Sequence, residues 1–132
     1  MVDADAIALC RYRLSKAESF LHDAEETLKL EMYENAANRS YYAIFHSVRS
    51  LLALDGVDFS KHAGVISYFQ LNYIKNRLLP VELSNIIKSA FSLRTESDYR
   101  DFYVIAKEDV VRQVSEARFF YESVKEYVEN KI

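Results

Sequence analysis

Asn38-Arg39-Ser40-Tyr41-Tyr42-Ala43-Ile44-Phe45-His46-Ser47-Val48-Arg49-Ser50-Leu51-Leu52 is the run that decides the fold. Ala37, Tyr41, Ile44, Val48 and Leu51 recur at spacings of four, three, four and three, and Phe45 and Leu52 widen that stripe. A helix gathers such positions on one face, so the run reads as the central helix of a bundle. At about 100° per residue, Arg39 and His46 nearly coincide on the side opposite the stripe, with Tyr42 and Arg49 beside them. Two readings of that second side are open. It is a solvated face with a lone histidine, or it is a subunit interface or anion-facing cleft, since two guanidiniums and an imidazole suit phosphate.

The flanking sequence repeats the pattern. Residues 3 to about 31 form a first helix, capped by Asp3 or Asp5, with Cys10, Leu14, Ala17, Leu21, Ala24 and Leu28 on its stripe. Cys10 is then a small core residue and not a nucleophile, and His22 a surface or rim residue. The joint before the central helix is weakly marked. Met32-Tyr33-Glu34-Asn35 is the best candidate, with Asn35 as cap, and Gly56 stops that helix. Ser60 looks like the cap of a third helix running to about Asn76, with Val65, Tyr68, Phe69 and Tyr73 on its face. His62 lies in its first turn, as a structural cap or as a neutral N–H donor to an anion. Pro80 opens a fourth helix, whose stripe of Leu83, Ile87 and Ala90 ends in Arg94. An arginine at a core position must be paired or open on a cleft. Asp98, one turn on, can pair with it. After a looser segment from Tyr99 to about Ala106, a fifth helix spans Lys107 to Asn130 on Val110, Val114, Ala117, Tyr121, Val124 and Val128.

Composition agrees with an all-α, up-and-down antiparallel bundle of four long helices and a shorter one, forming a single domain over residues 1–132. Two glycines and one proline are too few for the turns of a β-sandwich or barrel. Ten tyrosines and eight phenylalanines exceed what a core this size uses, and suit an interface. A net charge of −3 provides no global field for nucleic acid, so any such contact needs a local basic patch. The lone cysteine points to a reducing cytoplasm, and no apolar run approaches membrane-spanning length. No signal peptide is evident. There is no Gly-rich phosphate loop, CxxC, paired helical histidines or Glu-x-x-His, so neither a metal nor another cofactor is expected.

Three segments together carry a resemblance: Arg39-Ser40-Tyr41-Tyr42-Ala43-Ile44-Phe45-His46, Phe59-Ser60-Lys61-His62-Ala63-Gly64-Val65, and Leu93-Arg94-Thr95-Glu96-Ser97-Asp98-Tyr99. They look like the HEPN family, and in particular its small stand-alone archaeal and bacterial proteins of unassigned activity. The resemblance covers about Arg11 to Val128. It implies a helical bundle and a homodimer with its functional cleft at or near the subunit interface. Many members are metal-independent ribonucleases, often toxins of a toxin-antitoxin pair whose partner is a small nucleotidyltransferase. Others are non-catalytic modules associated with nucleotide or RNA. Catalytic members carry arginine, four to six residues, then histidine. Arg94 matches the arginine, and Tyr99 stands where a four-residue spacing would put the histidine.

Metal-free RNA cleavage needs a base near neutral pKa and a cation for the phosphorane. Tyrosine, at about 10, is a poor base at pH 7. The expectation is therefore a dimeric, non-catalytic module binding nucleotide or RNA through Arg94, Asp98, Tyr99, Arg39, His46 and Arg49. The first alternative is a ribonuclease with a displaced base, in which Arg94 and His46 are the catalytic candidates and His62 a further source of the base. The second is a structural helical adaptor. Tyr99 and Tyr103 are the candidates for modification by a nucleotidyltransferase partner.

Overall fold

The computed structural model describes residues 3–132, apart from the side chain of Tyr99. Five α-helices run up and down: α1 (Ala4–Lys29), α2 (Tyr33–Asp55), α3 (His62–Phe69), α4 (Glu82–Tyr99) and α5 (Lys107–Lys131). A π-helical turn, Gln70–Ile74, prolongs α3. No strand occurs among the described residues.

α2 is central because it carries two stripes. Tyr41, Ile44, Val48 and Leu51 form the apolar one, and all four are buried. Ala36, Ser40, Ala43, Ser47 and Ser50 form a second stripe of small residues at the same alternating spacing, also fully buried. Small side chains let neighbouring helices approach closely, and α2 packs against α1, α3, α4 and α5. Each buried serine satisfies its hydroxyl on its own helix: Ser40 on the Ala37 carbonyl (2.9 Å), Ser47 on Ala43 (2.8 Å) and Ser50 on Ser47 (2.6 Å). Gln113 of α5 clamps this stripe, its amide N–H₂ donating to the Ala37 carbonyl (3.0 Å) and to Ser40 Oγ (2.7 Å).

The expected stripes of α1 and α5 are buried except for Leu28, which is partly buried, and Cys10 is a core residue with no exposure. The joints differ from expectation. Past the end of α1 at Lys29, Glu31 takes a left-handed φ of 59° and lets the Met32 N–H reach the Thr27 carbonyl (2.9 Å). α2 then begins at Tyr33, ahead of the expected Asn35 cap. Gly56 does stop α2, at φ 70°, with the Val57 N–H on the Leu52 carbonyl (3.1 Å). Neither Asp3 nor Ser60 caps a helix through its side chain. Asp3 has the cap position but no side-chain bond, and Lys61 takes that position before α3.

Candidate functional site

The Arg94 position on α4 points its guanidinium at the middle of α2. Its Cζ lies 5.2 Å from the ring centre of Tyr41 and 5.5 Å from that of Tyr42. Nη2 donates to the Tyr42 hydroxyl (3.2 Å), and Nε lies 3.4 Å from the Asp98 carboxylate, close enough for an ion pair but off line for a hydrogen bond. The side chain is 18% exposed, so this core-stripe arginine is paired and still reaches solvent.

His62, the first residue of α3, packs against the same part of α2. Its ring stacks on Phe45 at 4.1 Å between centroids, and its Nδ1 lies 2.7 Å from the Tyr41 hydroxyl. His62 thus ties α3 to α2 through its side chain and does not act as a cap. Tyr41 is fully buried, and burial pushes its pKa up, with Arg94 opposing. The hydroxyl keeps its proton, and its one described acceptor is His62 Nδ1. The tautomer is assigned from that partner: Nδ1 accepts, and the ring proton sits on Nε2. Burial first, then the charges of Arg94 and Arg49, hold the His62 pKa below its ordinary value, so the ring is neutral at pH 7. An arginine, a tyrosine hydroxyl and a neutral imidazole from three different helices therefore lie close together in one cluster.

A second cluster adjoins it. Asp58 accepts from Arg13 Nη2 and Arg49 Nη2, both at 3.3 Å, while Arg13 Nη1 donates to the Arg49 carbonyl (2.9 Å). Two guanidiniums and the Phe59 N–H lower the pKa of Asp58 against the opposing effect of desolvation, the largest contribution. Two arginines thus share one carboxylate, and Asp3 and Asp5 line the same opening as Arg13 and Asp58.

The remaining sequence candidates separate. His46 is buried under α1, stacked on Phe20 at 5.3 Å, with Nδ1 unpartnered. Burial, then Lys16, Arg49, Arg13 and His62, push its pKa down to about 4. It is neither a solvated residue nor an open anion ligand. Arg39 donates to its neighbour Asn38 (2.6 Å) and has no described bond to Arg94, Tyr42 or His62. Tyr103 packs with Leu93, Val110 and Val114 in a separate cluster, with the Arg100 guanidinium over its ring at 5.7 Å. The Tyr99 side chain, proposed for binding and modification, lies outside the described residues. Sequence reasoning missed Arg13 and the Tyr41–His62 bond. Arg13 gave a signal, as a charge three residues after Cys10 on the buried edge of α1. The Tyr41–His62 bond gave none.

The chain matches a family model described as HEPN domain over residues 10–127. It is 31% identical over 122 residues to a UPF0332 protein of Thermotoga maritima, covering 92% of each chain. It is 32% identical over 118 residues to a protein of Methanocaldococcus jannaschii named "Putative toxin", covering 89% of this chain and 80% of that one. A second M. jannaschii protein with the same designation is 32% identical over 109 residues, covering 83% of this chain and 81% of the other. The helical order, the arginine held over two tyrosines and these likenesses agree: the chain belongs to the HEPN domain family.

Proposed function

We propose that the chain is a dimeric HEPN module, acting as one unit over its length, that binds the phosphate of a nucleotide or RNA in the Arg94 cleft without cleaving it. The observation that carries this reading is the donor set: Arg94, the Tyr42 hydroxyl and His62 Nε2–H converge from α4, α2 and α3. Phosphate oxygens accept hydrogen bonds, and all three groups can donate them. The His62 tautomer favours binding over catalysis, because a base at Nε2 would need the proton on Nδ1, where the Tyr41 hydroxyl already donates.

Calorimetry with mononucleotides and short RNAs tests the reading. A charged hydrogen bond contributes about 1.5–3 kcal/mol, so Arg94→Ala should weaken binding by roughly ten- to a hundredfold, and His62→Gln by a smaller factor. No binding by wild type, or equal binding after Arg94→Ala, removes the case.

A ribonuclease is the second reading, favoured by a neutral imidazole beside Arg94 and by relatives that carry the name toxin. His62, in the other tautomer, would be its base in place of the buried His46. It predicts RNA cleavage that survives EDTA and is lost in both Arg94→Ala and His62→Gln, measured on protein whose oligomeric state is checked in the same sample. A nucleotidyltransferase partner belongs to either reading. Co-expression with such an enzyme, followed by intact-mass analysis, would show whether Tyr99 or Tyr103 receives an adduct.

A further inference from the structure

Three openings succeed one another between α5 and the segment running from Leu78 through α4, and together they make a groove. One, of about 200 Å³, lies between Ser92 and Glu96 of α4 and Asp109 and Arg112 of α5. The middle one, of about 370 Å³, is walled by Glu82 and Ile86 on one side and by Glu116 and Phe119 on the other. The last, of about 240 Å³, lies between Leu78 and Pro80 and the Ser123–Glu126 turn of α5. From Asp109 to Asn130 the groove runs roughly 30 Å at 1.5 Å per residue, the length of a helix of several turns.

Two features characterise its lining. Phe119 and Leu78 stand 48% and 47% exposed although large and apolar. Around them, Glu82, Glu96, Asp109, Glu116 and Glu126 face a single cation, Arg112. Arg112 is itself engaged by Asp109 (3.2 Å) and Glu116 (3.6 Å). Glu82, Glu96 and Glu126 join no ion pair among the described residues.

We propose that this groove docks a basic amphipathic helix from a protein partner. A helix laid in a groove anchors apolar residues at i, i+3 or i+4, and i+7 into such seats, and lysine or arginine at its edges would meet the unpaired carboxylates. Charge complementarity selects this occupant. A second copy in a two-fold dimer would bring the same acidic patch against itself. Nucleic acid and anionic membrane are repelled by it. The groove is also distinct from the cleft, since Arg94 faces α2 whereas Ser92 and Glu96 face α5.

The test is selection of a displayed library of helical peptides on the full-length protein, with counter-selection on Phe119→Asp. Phe119 is half exposed, and the helical circular dichroism of each variant is checked first. The expected winners are cationic, carry apolar residues at helical spacing and weaken as salt is raised. Their affinity should fall at least about tenfold on Phe119→Asp and on the Glu82→Lys/Glu126→Lys pair, a loss typical of an anchoring contact. Winners that are neutral or acidic, winners that bind the variants equally, or failure to recover any winner would overturn the proposal. So would Phe119→Asp halving the mass in light scattering, which would give the groove to a second copy.

Discussion

Two histidines on neighbouring elements show how burial sets chemistry. His62 keeps its Nδ1 on the Tyr41 hydroxyl, while His46 is pressed against Phe20 with Nδ1 unmatched. His46 therefore bears on stability. In the unfolded chain it protonates near 6.5, in the fold at about 4. Between those values the unfolded chain binds more protons, so this contribution is complete above about pH 6.5 and is lost as pH falls toward 4. The shift corresponds to an effect on the order of 3 kcal/mol. His46→Phe, which keeps a ring against Phe20, should flatten the dependence of the urea midpoint on pH between 4 and 6.5; an unchanged slope would remove His46 as its source. Sequence spacing identified Arg94 as an anomaly on an apolar stripe, and that was sound. It also grouped Arg39 with His46 by angle alone, although Arg39 bonds to its neighbour and His46 lies under α1. Helical angle gives the side of a helix, but not what covers that side.

At the scale of elements, the alternating spacing made all four long helices legible because their apolar faces are what they bury. The stop of α2 at Gly56 and the start of α5 at Lys107 were legible too, but other ends were not. Three joints use ordinary residues in the left-handed region, Glu31 (φ 59°), Arg77 (φ 59°) and Phe102 (φ 60°), where a glycine would have marked the turn. A side chain there costs about 1–2 kcal/mol relative to glycine's freedom, partly offset by glycine's greater entropy when unfolded. Glu31→Gly should therefore stabilise the protein by about 0.5–1 kcal/mol, raising the urea midpoint with the m-value unchanged. A lower midpoint would mean that the Glu31 side chain stabilises the joint in some other way. The small-residue stripe of α2 was also missed, since Ala and Ser carry little hydrophobic signal even where packing requires them. Long-range bonds such as Tyr41 to His62, twenty-one residues apart, leave no trace in spacing.

Across the whole molecule, Arg94 and the acidic groove lie on different faces of α4, and α2 packs under Arg94 from the centre of the bundle. Beneath that arrangement sits Cys10, the chain's one thiol, with no exposure and with burial pushing its pKa up to about 11. Native protein then offers a disulfide reagent almost no thiolate and no path to it. Colour should develop only as fast as the bundle opens, and the labelling rate at rising urea should track global unfolding. Rapid labelling in water would reveal α1 opening on its own. The protein thus carries an internal clock for its own breathing, readable without adding a probe or changing a residue.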